Sequence, residues 1–126
     1  MKPSLHGIEV ERGSTIIITS LGRNMNQNLT APPLTAKWGT LNSPIVITNQ
    51  GLEQRGTFQA PQAPDHCNVV VEFNFKSAVG GIFPPGMDYV VTITEITPGG
   101  QTTTIEDPPP VTPPPFVDRS YRFITR

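Results

Sequence analysis

The sequence predicts an all-β domain, and three observations lead to that fold class. Fifteen prolines and eleven glycines interrupt the 126 residues, which leaves few segments long enough to form a helix. Valine and isoleucine dominate the apolar residues and occur in runs flanked by threonine, a composition that fits the pleated surface of a sheet. Turn signals recur about every ten residues. Together these features favour a two-sheet antiparallel β-sandwich, with a closed barrel or a jelly roll as the second choice.

Nine short segments carry strand signals. In chain order they are Ile8–Val10, Ser14–Thr19, Leu34–Trp38, Pro44–Thr48, Gly56–Pro61, Asn68–Lys76, Tyr89–Ile96, Gln101–Ile105 and Arg119–Thr125. The strongest is Asn68–Lys76, because its valines and phenylalanines point to one face while mainly polar residues point to the other. We expect the core to contain Trp38, Val69, Val71, Phe73, Val91 and Ile93.

Tyr89–Ile96 and Gln101–Ile105 are expected to form a hairpin, since only Thr97-Pro98-Gly99-Gly100 separates them. Proline at the second position and glycine at the third are the requirement of a type II turn, because only glycine takes a positive φ at low cost. The sequence therefore predicts a hairpin in which Gly99 has the positive φ.

Two segments lack any strand pattern. Residues 20–33 are polar and aperiodic, and we predict a long loop or a ragged edge strand there. Residues 107–115 hold six prolines in nine positions, which enforces an extended polyproline II conformation. This proline-rich crossover is either a rigid connection to the last strand or a docking segment for an aromatic groove. Because 36% of the 126 residues are apolar, enough for one core, we predict a single domain over residues 1–126.

The charged residues bear on partners and location. Nine Lys and Arg oppose ten Asp and Glu, and only Arg119, Arg122 and Arg126 lie close together, so we predict no nucleic-acid partner. No run approaches the ~20 apolar residues of a membrane helix, and we predict no membrane insertion. The first residues contain no apolar stretch of signal-peptide length. The location is left open: extracellular or at the cell surface if a leader was removed, and otherwise cytoplasmic.

No catalytic group can be assigned from the residue pattern. His66 and Cys67 are the one adjacent reactive pair, but neighbouring side chains of a strand point to opposite faces and cannot form a nucleophile and base. We therefore expect no enzymatic activity and no catalytic residues. The lone Cys67 cannot form an internal disulfide, and a buried inert thiol is the expected state.

No metal or cofactor site is expected either. The ligand types of a blue-copper centre are present as His6, His66, Cys67 and Met87, but the order differs from that of cupredoxins, in which the cysteine precedes the second histidine. The carboxylates that fall in predicted loops or strand ends are Asp65, Asp88, Glu106, Asp107 and Asp118. They contain no Asp-x-Asp-x-Asp run that would supply calcium with its oxygens locally. Glu106 and Asp107 are expected to form a solvated turn.

A resemblance to bacterial immunoglobulin-like domains is found in three segments between residues 34 and 72. Leu34-Thr35-Ala36-Lys37-Trp38 resembles their tryptophan strand. The segment from Gly51 to Ala60-Pro61 resembles the glycine and aromatic segment that follows, and Asn68-Val69-Val70-Val71-Glu72 resembles the next strand of alternating valines. The matched span covers about a third of the chain. The resemblance implies an immunoglobulin-like sandwich without a shared active site, of a class that serves as spacers, adhesion modules or protein-contact modules.

Two functions therefore remain as expectations. The first is a non-enzymatic structural or protein-interaction module that binds a protein partner or self-associates, with an exposed sheet edge as its route to strand addition. The alternative is a carbohydrate-binding sandwich. Its candidate residues are the aromatic side chains Phe83, Tyr89, Phe116 and Tyr121 and the amide-rich segment Asn24–Asn28. For the tyrosines the competing interpretation is a half-buried strand residue with a solvated hydroxyl.

Overall fold

The computed structural model describes residues 1–23, 34–38, 46–50, 53–71, 88–107 and 119–126. These residues form ten β-strands. In chain order the strands are β1 (Lys2–Ser4), β2 (Gly7–Val10), β3 (Thr15–Arg23), β4 (Leu34–Trp38), β5 (Val46–Gln50), β6 (Glu53–Gln59), β7 (Asp65–Val71), β8 (Asp88–Ile96), β9 (Thr102–Asp107) and β10 (Arg119–Thr125). Among these residues there is no helix that is long and apolar enough to cross a membrane.

The strands form two five-stranded sheets that pack face to face. The first sheet has the order β1-β2-β10-β7-β4 and the second has the order β5-β6-β3-β8-β9. The described strands do not close into a barrel, so the predicted two-sheet β-sandwich is confirmed and the closed barrel is not. Seven of the eight described strand pairs are antiparallel, and the exception is the parallel pair of β2 and β10.

Gly7 allows β2 to lie beside β10. Its φ is +143°, a value that side-chain-bearing residues rarely adopt. A Cβ atom at this position would collide with the backbone carbonyl of Arg122 on β10. Glycine is therefore required at position 7, where β2 lies beside β10.

One hydrophobic core lies between the two sheets. The first sheet contributes Ile8, Val10, Cys67, Val69, Val71 and Phe123, and the second contributes Ile16, Ile18, Phe58, Ala60, Val91 and Ile93. The rings of Phe58 and Phe123 meet edge to face across the core, with 5.6 Å between their centroids. The predicted core positions Val69, Val71, Val91 and Ile93 are confirmed as fully buried. The side chain of Trp38, and Phe73 altogether, lie outside the described residues.

Several strand boundaries differ from the predicted ones. β1 was not predicted, because all three of its residues are exposed and it lacks an apolar alternation. β3 continues to Arg23, so residues 20–23 belong to this strand and the predicted loop or edge strand does not begin at residue 20. Residues 24–33 lie outside the described residues. β7 begins at Asp65 rather than Asn68. The last strand, Arg119–Thr125, has the predicted bounds.

The prediction of a solvated turn at Glu106 and Asp107 was wrong. Both residues belong to β9, where they pair with Thr92 and Val91 of β8. The strand continues because Asp107 has partners on β10, which no local pattern in the sequence reveals. The rest of the predicted crossover at 107–115 lies outside the described residues.

The β8–β9 hairpin is present, but the predicted turn type was wrong. The amide of Gly100 donates to the carbonyl of Thr97 over 2.8 Å, and the positive φ of +87° belongs to Gly100 instead of Gly99. The amide of Thr97 donates in turn to the carbonyl of Gln101 over 2.9 Å. This is a three-residue loop, a type I turn followed by a left-handed glycine, whose twist suits a hairpin better than a type II turn does.

Candidate functional site

The most distinctive feature of the described surface is the edge strand β9. It pairs with β8 on one side, and no other described strand pairs with it. The hairpin loop fixes the hydrogen-bonding register of β9, because the bond from Thr97 to Gln101 closes the ladder at that end. In an antiparallel ladder the bonded pairs alternate with unbonded ones. Thr103, Ile105 and Asp107 consequently direct their backbone groups towards β8.

The remaining residues of β9 direct their backbone groups away from the sheet. Thr102, Thr104 and Glu106 occupy the unbonded positions, so their three N–H and three C=O groups have no partner strand among the described residues. The hydroxyls of Thr94 and Thr104 lie 3.1 Å apart, as the closer approach of side chains at an unbonded pair requires. All three edge residues have exposed side chains on the outer face of the sheet.

The four sheet edges differ in how well they resist pairing with another strand. β1 has only three residues and includes Lys2 and Pro3, and β4 includes Lys37. Lysine, proline and short length are the devices that protect edge strands. β5 and β9 have neither residue type, and β9 is the longer of these two. It is thus the longest described edge without a lysine or proline.

Both ends of β9 are anchored to other parts of the sandwich. At one end the α-ammonium of Met1 donates to the Thr103 hydroxyl over 3.4 Å. At the other, the Tyr121 hydroxyl donates to the Asp107 carboxylate, and Arg119 Nη1 donates to the Asp107 carbonyl over 3.0 Å. Burial and the neighbouring Asp107 carboxylate raise the pKa of Tyr121. These contacts hold the edge in an extended conformation and keep Tyr121 neutral as a donor.

A buried ion pair supports the adjacent strand. Glu95 on β8 is 1% exposed, and its Oε1 lies 2.5 Å from the α-ammonium of Met1. Its Oε2 accepts the Glu11 amide over 2.7 Å. Burial acts to raise the pKa of Glu95, but the ammonium and the Glu11 amide outweigh it and hold the pKa below its ordinary value. Glu95 is therefore a charged, fully bonded group inside the sandwich.

The structure separates His66 and Cys67 as predicted. His66 is exposed on the outer face of the first sheet, while Cys67 is 1% exposed and belongs to the core. His6 lies in the turn between β1 and β2, rather than on a strand. The described members of the copper set are therefore not brought together, and Met87 lies outside the described residues. No group of three metal-ligating side chains occurs in the described ranges.

The described carboxylates from the predicted loops and strand ends do not converge on one site either. Asp65 accepts the His66 amide over 2.8 Å on the first sheet, whereas Glu106 and Asp107 lie on the far edge of the second. The side chain of Asp88 and all of Asp118 lie outside the description.

Of the side chains considered for carbohydrate binding, the structure describes only that of Tyr121. Tyr121 is half-buried in the inward-facing row of β10, and its hydroxyl is used by Asp107. Its position matches the interpretation as a half-buried strand residue, although the hydroxyl contacts a carboxylate instead of solvent. The side chain of Tyr89, together with Phe83, Phe116 and residues 24–28, lies outside the described residues.

A shallow concavity occupies the outer face of the first sheet. Pro64, His66, Arg122, Ile124 and Arg126 contribute to its lining. Arg126 contacts the Glu9 carboxylate over 2.6 Å, which offsets its charge, and exposed pairs of this kind stabilise little. The arginines that cluster in the sequence are divided, because Arg119 points inwards while the other two face out. The concavity therefore offers less positive charge than the sequence suggests.

Three comparisons with known proteins were made for this chain. Family models, curated proteins and solved structures each gave no match.

Proposed function

We propose that this protein is a non-enzymatic interaction module that binds a partner by strand addition at β9. The observation that carries the proposal is the open edge at Thr102, Thr104 and Glu106, with its three outward N–H and three outward C=O groups. In strand addition the main chain supplies affinity and alternate side chains supply specificity. The exposed threonines and glutamate at the same three positions are the groups that would discriminate between partners.

The strength of this interaction can be bounded. Pairing all six outward groups forms six hydrogen bonds, each contributing about 0.5–1.5 kcal/mol. Cross-strand side-chain pairs add about 0.2–1 kcal/mol each. Association itself costs about 4–15 kcal/mol. Because the cost of association cancels much of the gain, a strand held by the backbone alone binds weakly, and a tight partner must also contact the neighbouring sheet face.

The rigid anchoring of β9 favours this use of the edge. A strand that is already extended loses little conformational entropy on pairing. Asp107 is held by Tyr121 and Arg119, and Ile105 packs against the core. β9 therefore already has the extended conformation that strand addition requires when no partner is bound.

Amide hydrogen exchange at low micromolar concentration tests whether the edge is open. We expect the amides of Thr102, Thr104 and Glu106 to exchange fast, since no described strand pairs with that side of β9. The amides of Thr103 and Ile105 should exchange slowly because they donate to β8. Residue-resolved exchange measured by mass spectrometry or NMR distinguishes the two sets. Equal protection along β9 would mean that the edge is covered, and the proposal would fail.

Selection of displayed heptapeptides tests whether the edge binds a strand. We expect selected peptides to bind the wild-type protein and to lose about two- to tenfold in affinity for Thr104→Pro, which removes one outward N–H and its hydrogen bond. Thr94→Ala is the matched control, because Thr94 lies on the same face one strand further in. Circular dichroism checks that both variants fold. Peptides that bind all three proteins equally would show that β9 is not the site.

A further inference from the structure

We infer that the strand which β9 accepts is the β9 of a second copy of this chain. This inference rests on the proposed function and specifies its partner. Two copies related by a two-fold axis at Thr104 would pair antiparallel, with Thr104 opposite Thr104 of the second copy and Thr102 opposite Glu106. All three outward-facing residues of each copy then find a partner with outward backbone groups.

The ends of β9 select this register among the antiparallel ones. Moving the axis to Ile105 would set Thr102 opposite Pro108, which has no N–H to donate. Moving it to Thr103 would set Glu106 opposite Gly100, which has a positive φ of +87° in the hairpin loop and is not extended. With the axis at Thr104, residues 102–106 of both copies pair with each other and all of them belong to β9.

The side chains in this register are compatible. Thr102 places a hydroxyl opposite the Glu106 carboxylate of the second copy, and the two Thr104 side chains meet as a threonine pair, an arrangement found favourable across strands. The two Glu106 carboxylates lie four residues apart along the strands, about 14 Å at the rise of an antiparallel strand. That separation exceeds the screening length of about 8 Å at physiological salt. The pairing therefore meets no like-charge contact at the edge.

The resulting assembly is a closed dimer. A two-fold interface uses the same surface on both copies, so pairing at β9 satisfies both edges and does not propagate. The second sheets of the two copies join into one sheet of ten strands, with β5 at each end. Six hydrogen bonds and few buried apolar groups give a weak dimer, with a Kd of the order of 100 μM.

Disulfide trapping tests the register. Thr104→Cys puts one new thiol on the two-fold axis, at a Cα separation of about 5.5 Å, which lies within the range of a disulfide. Thr94→Cys is the matched control, because its thiols would lie about 14 Å apart in the dimer. Cys67 is buried and adds little background. We expect mild oxidation at 100 μM protein to link Thr104→Cys at least tenfold more than Thr94→Cys. Equal linking in both variants would overturn the inference.

Sedimentation over a wide concentration range tests the dimer itself. We expect the wild type to pass from monomer at 1 μM to mainly dimer near 1 mM. Thr104→Pro and Thr104→Lys should remain monomeric, and Thr94→Lys should behave as the wild type. Two edge variants are used because either could reduce stability, which thermal melts would reveal. A wild type that stays monomeric at 1 mM would overturn the inference.

Different outcomes would contradict the proposed strand addition at β9 and the inference that the added strand comes from a second copy. A monomeric wild type whose selected peptides still require Thr104 would leave strand addition standing and remove only the second copy as the partner. A wild-type dimer that persists in both edge variants would place the interface elsewhere, and the inference would be wrong. Equal protection of all β9 amides at low concentration would remove both.

Discussion

Glu95 is a charged residue in the inward-facing row of β8, in which Val91 and Ile93 are apolar. Val91, Ile93 and Glu95 share the inward-facing row of β8, and all three are buried. An isolated charge at such a position would be very costly. Here the carboxylate is compensated by the Met1 ammonium and the Glu11 amide. Removing one partner of a buried pair destabilises a protein strongly, because the other charge stays buried without compensation.

Glu95→Gln is therefore expected to reduce the free energy of unfolding of the 126-residue chain by about 3 kcal/mol at pH 7. The folded-state pKa of Glu95 is held below its ordinary value of 4.5. Its contribution is thus present above that value and is lost as the pH falls through the lowered pKa. The difference between variant and wild type should shrink below pH 4.5. Urea unfolding at several pH values measures it.

Two controls accompany the Glu95 measurement. Glu106→Gln changes an exposed carboxylate and should alter stability by less than about 0.5 kcal/mol. A chain extended by two residues before Met1 replaces the ammonium by an amide and should lose stability like Glu95→Gln. A loss for Glu95→Gln that does not change with pH would contradict the ion-pair account.

At the scale of single residues, the sequence predicts how neighbouring side chains are oriented, but it does not predict contacts between residues far apart in the chain. The separation of His66 from Cys67 follows from strand alternation alone, and the structure confirms it. Glu95 was not singled out, because its partner amide belongs to Glu11, 84 residues away. The anchoring of Asp107 by Tyr121 was missed for the same reason.

At the scale of elements, the sequence predicts the β8–β9 hairpin but not the type of its turn. The alternating strands and the Pro98-Gly99-Gly100 sequence predicted the hairpin correctly. They left two glycines as candidates for the positive φ, and the wrong one was assigned. The choice depends on the twist of the paired strands, which favours a type I turn followed by a left-handed glycine. The open edge of β9 was foreseen only as a class of feature, since which strand ends up outermost depends on non-local pairing.

The two glycines of this turn give a matched test. Gly100→Ala is expected to cost about 1–3 kcal/mol, because a side chain strains a residue with φ of +87° even though nothing lies within 4 Å. Gly99→Ala should be neutral or stabilising by up to about 1 kcal/mol, since it restricts the unfolded chain. Its new Cβ would approach nothing closer than 3.9 Å. Thermal unfolding of both variants measures the difference, and the reverse order would indicate the type II turn.

At the scale of the whole molecule, the sequence predicts the two-sheet sandwich but not the pairing of β2 with β10. Many short strands with alternating faces indicate two packed sheets, and the core at Val69, Val71, Val91 and Ile93 confirms it. The parallel pairing of β2 with β10 joins residues more than one hundred positions apart. No local periodicity encodes that pairing. It brings the Arg119–Thr125 strand into the centre of the first sheet and places Phe123 in the core.

A core that both sheets share requires them to unfold together. Phe123 is fully buried on the first sheet and meets Phe58 on the second, so we expect Phe123→Ala to cost about 3–5 kcal/mol. The Cys67 and Val69 amide signals report on the first sheet, and the Ile18 and Ile93 amide signals report on the second. Both probes should show the same urea midpoint in the wild type and the same shift in the variant. Ile124→Ala, on the opposite face of β10, should shift both less. If the midpoint of the Cys67 and Val69 signals moved while that of the Ile18 and Ile93 signals did not, the sheets would be separate cooperative units and the single shared core would be wrong.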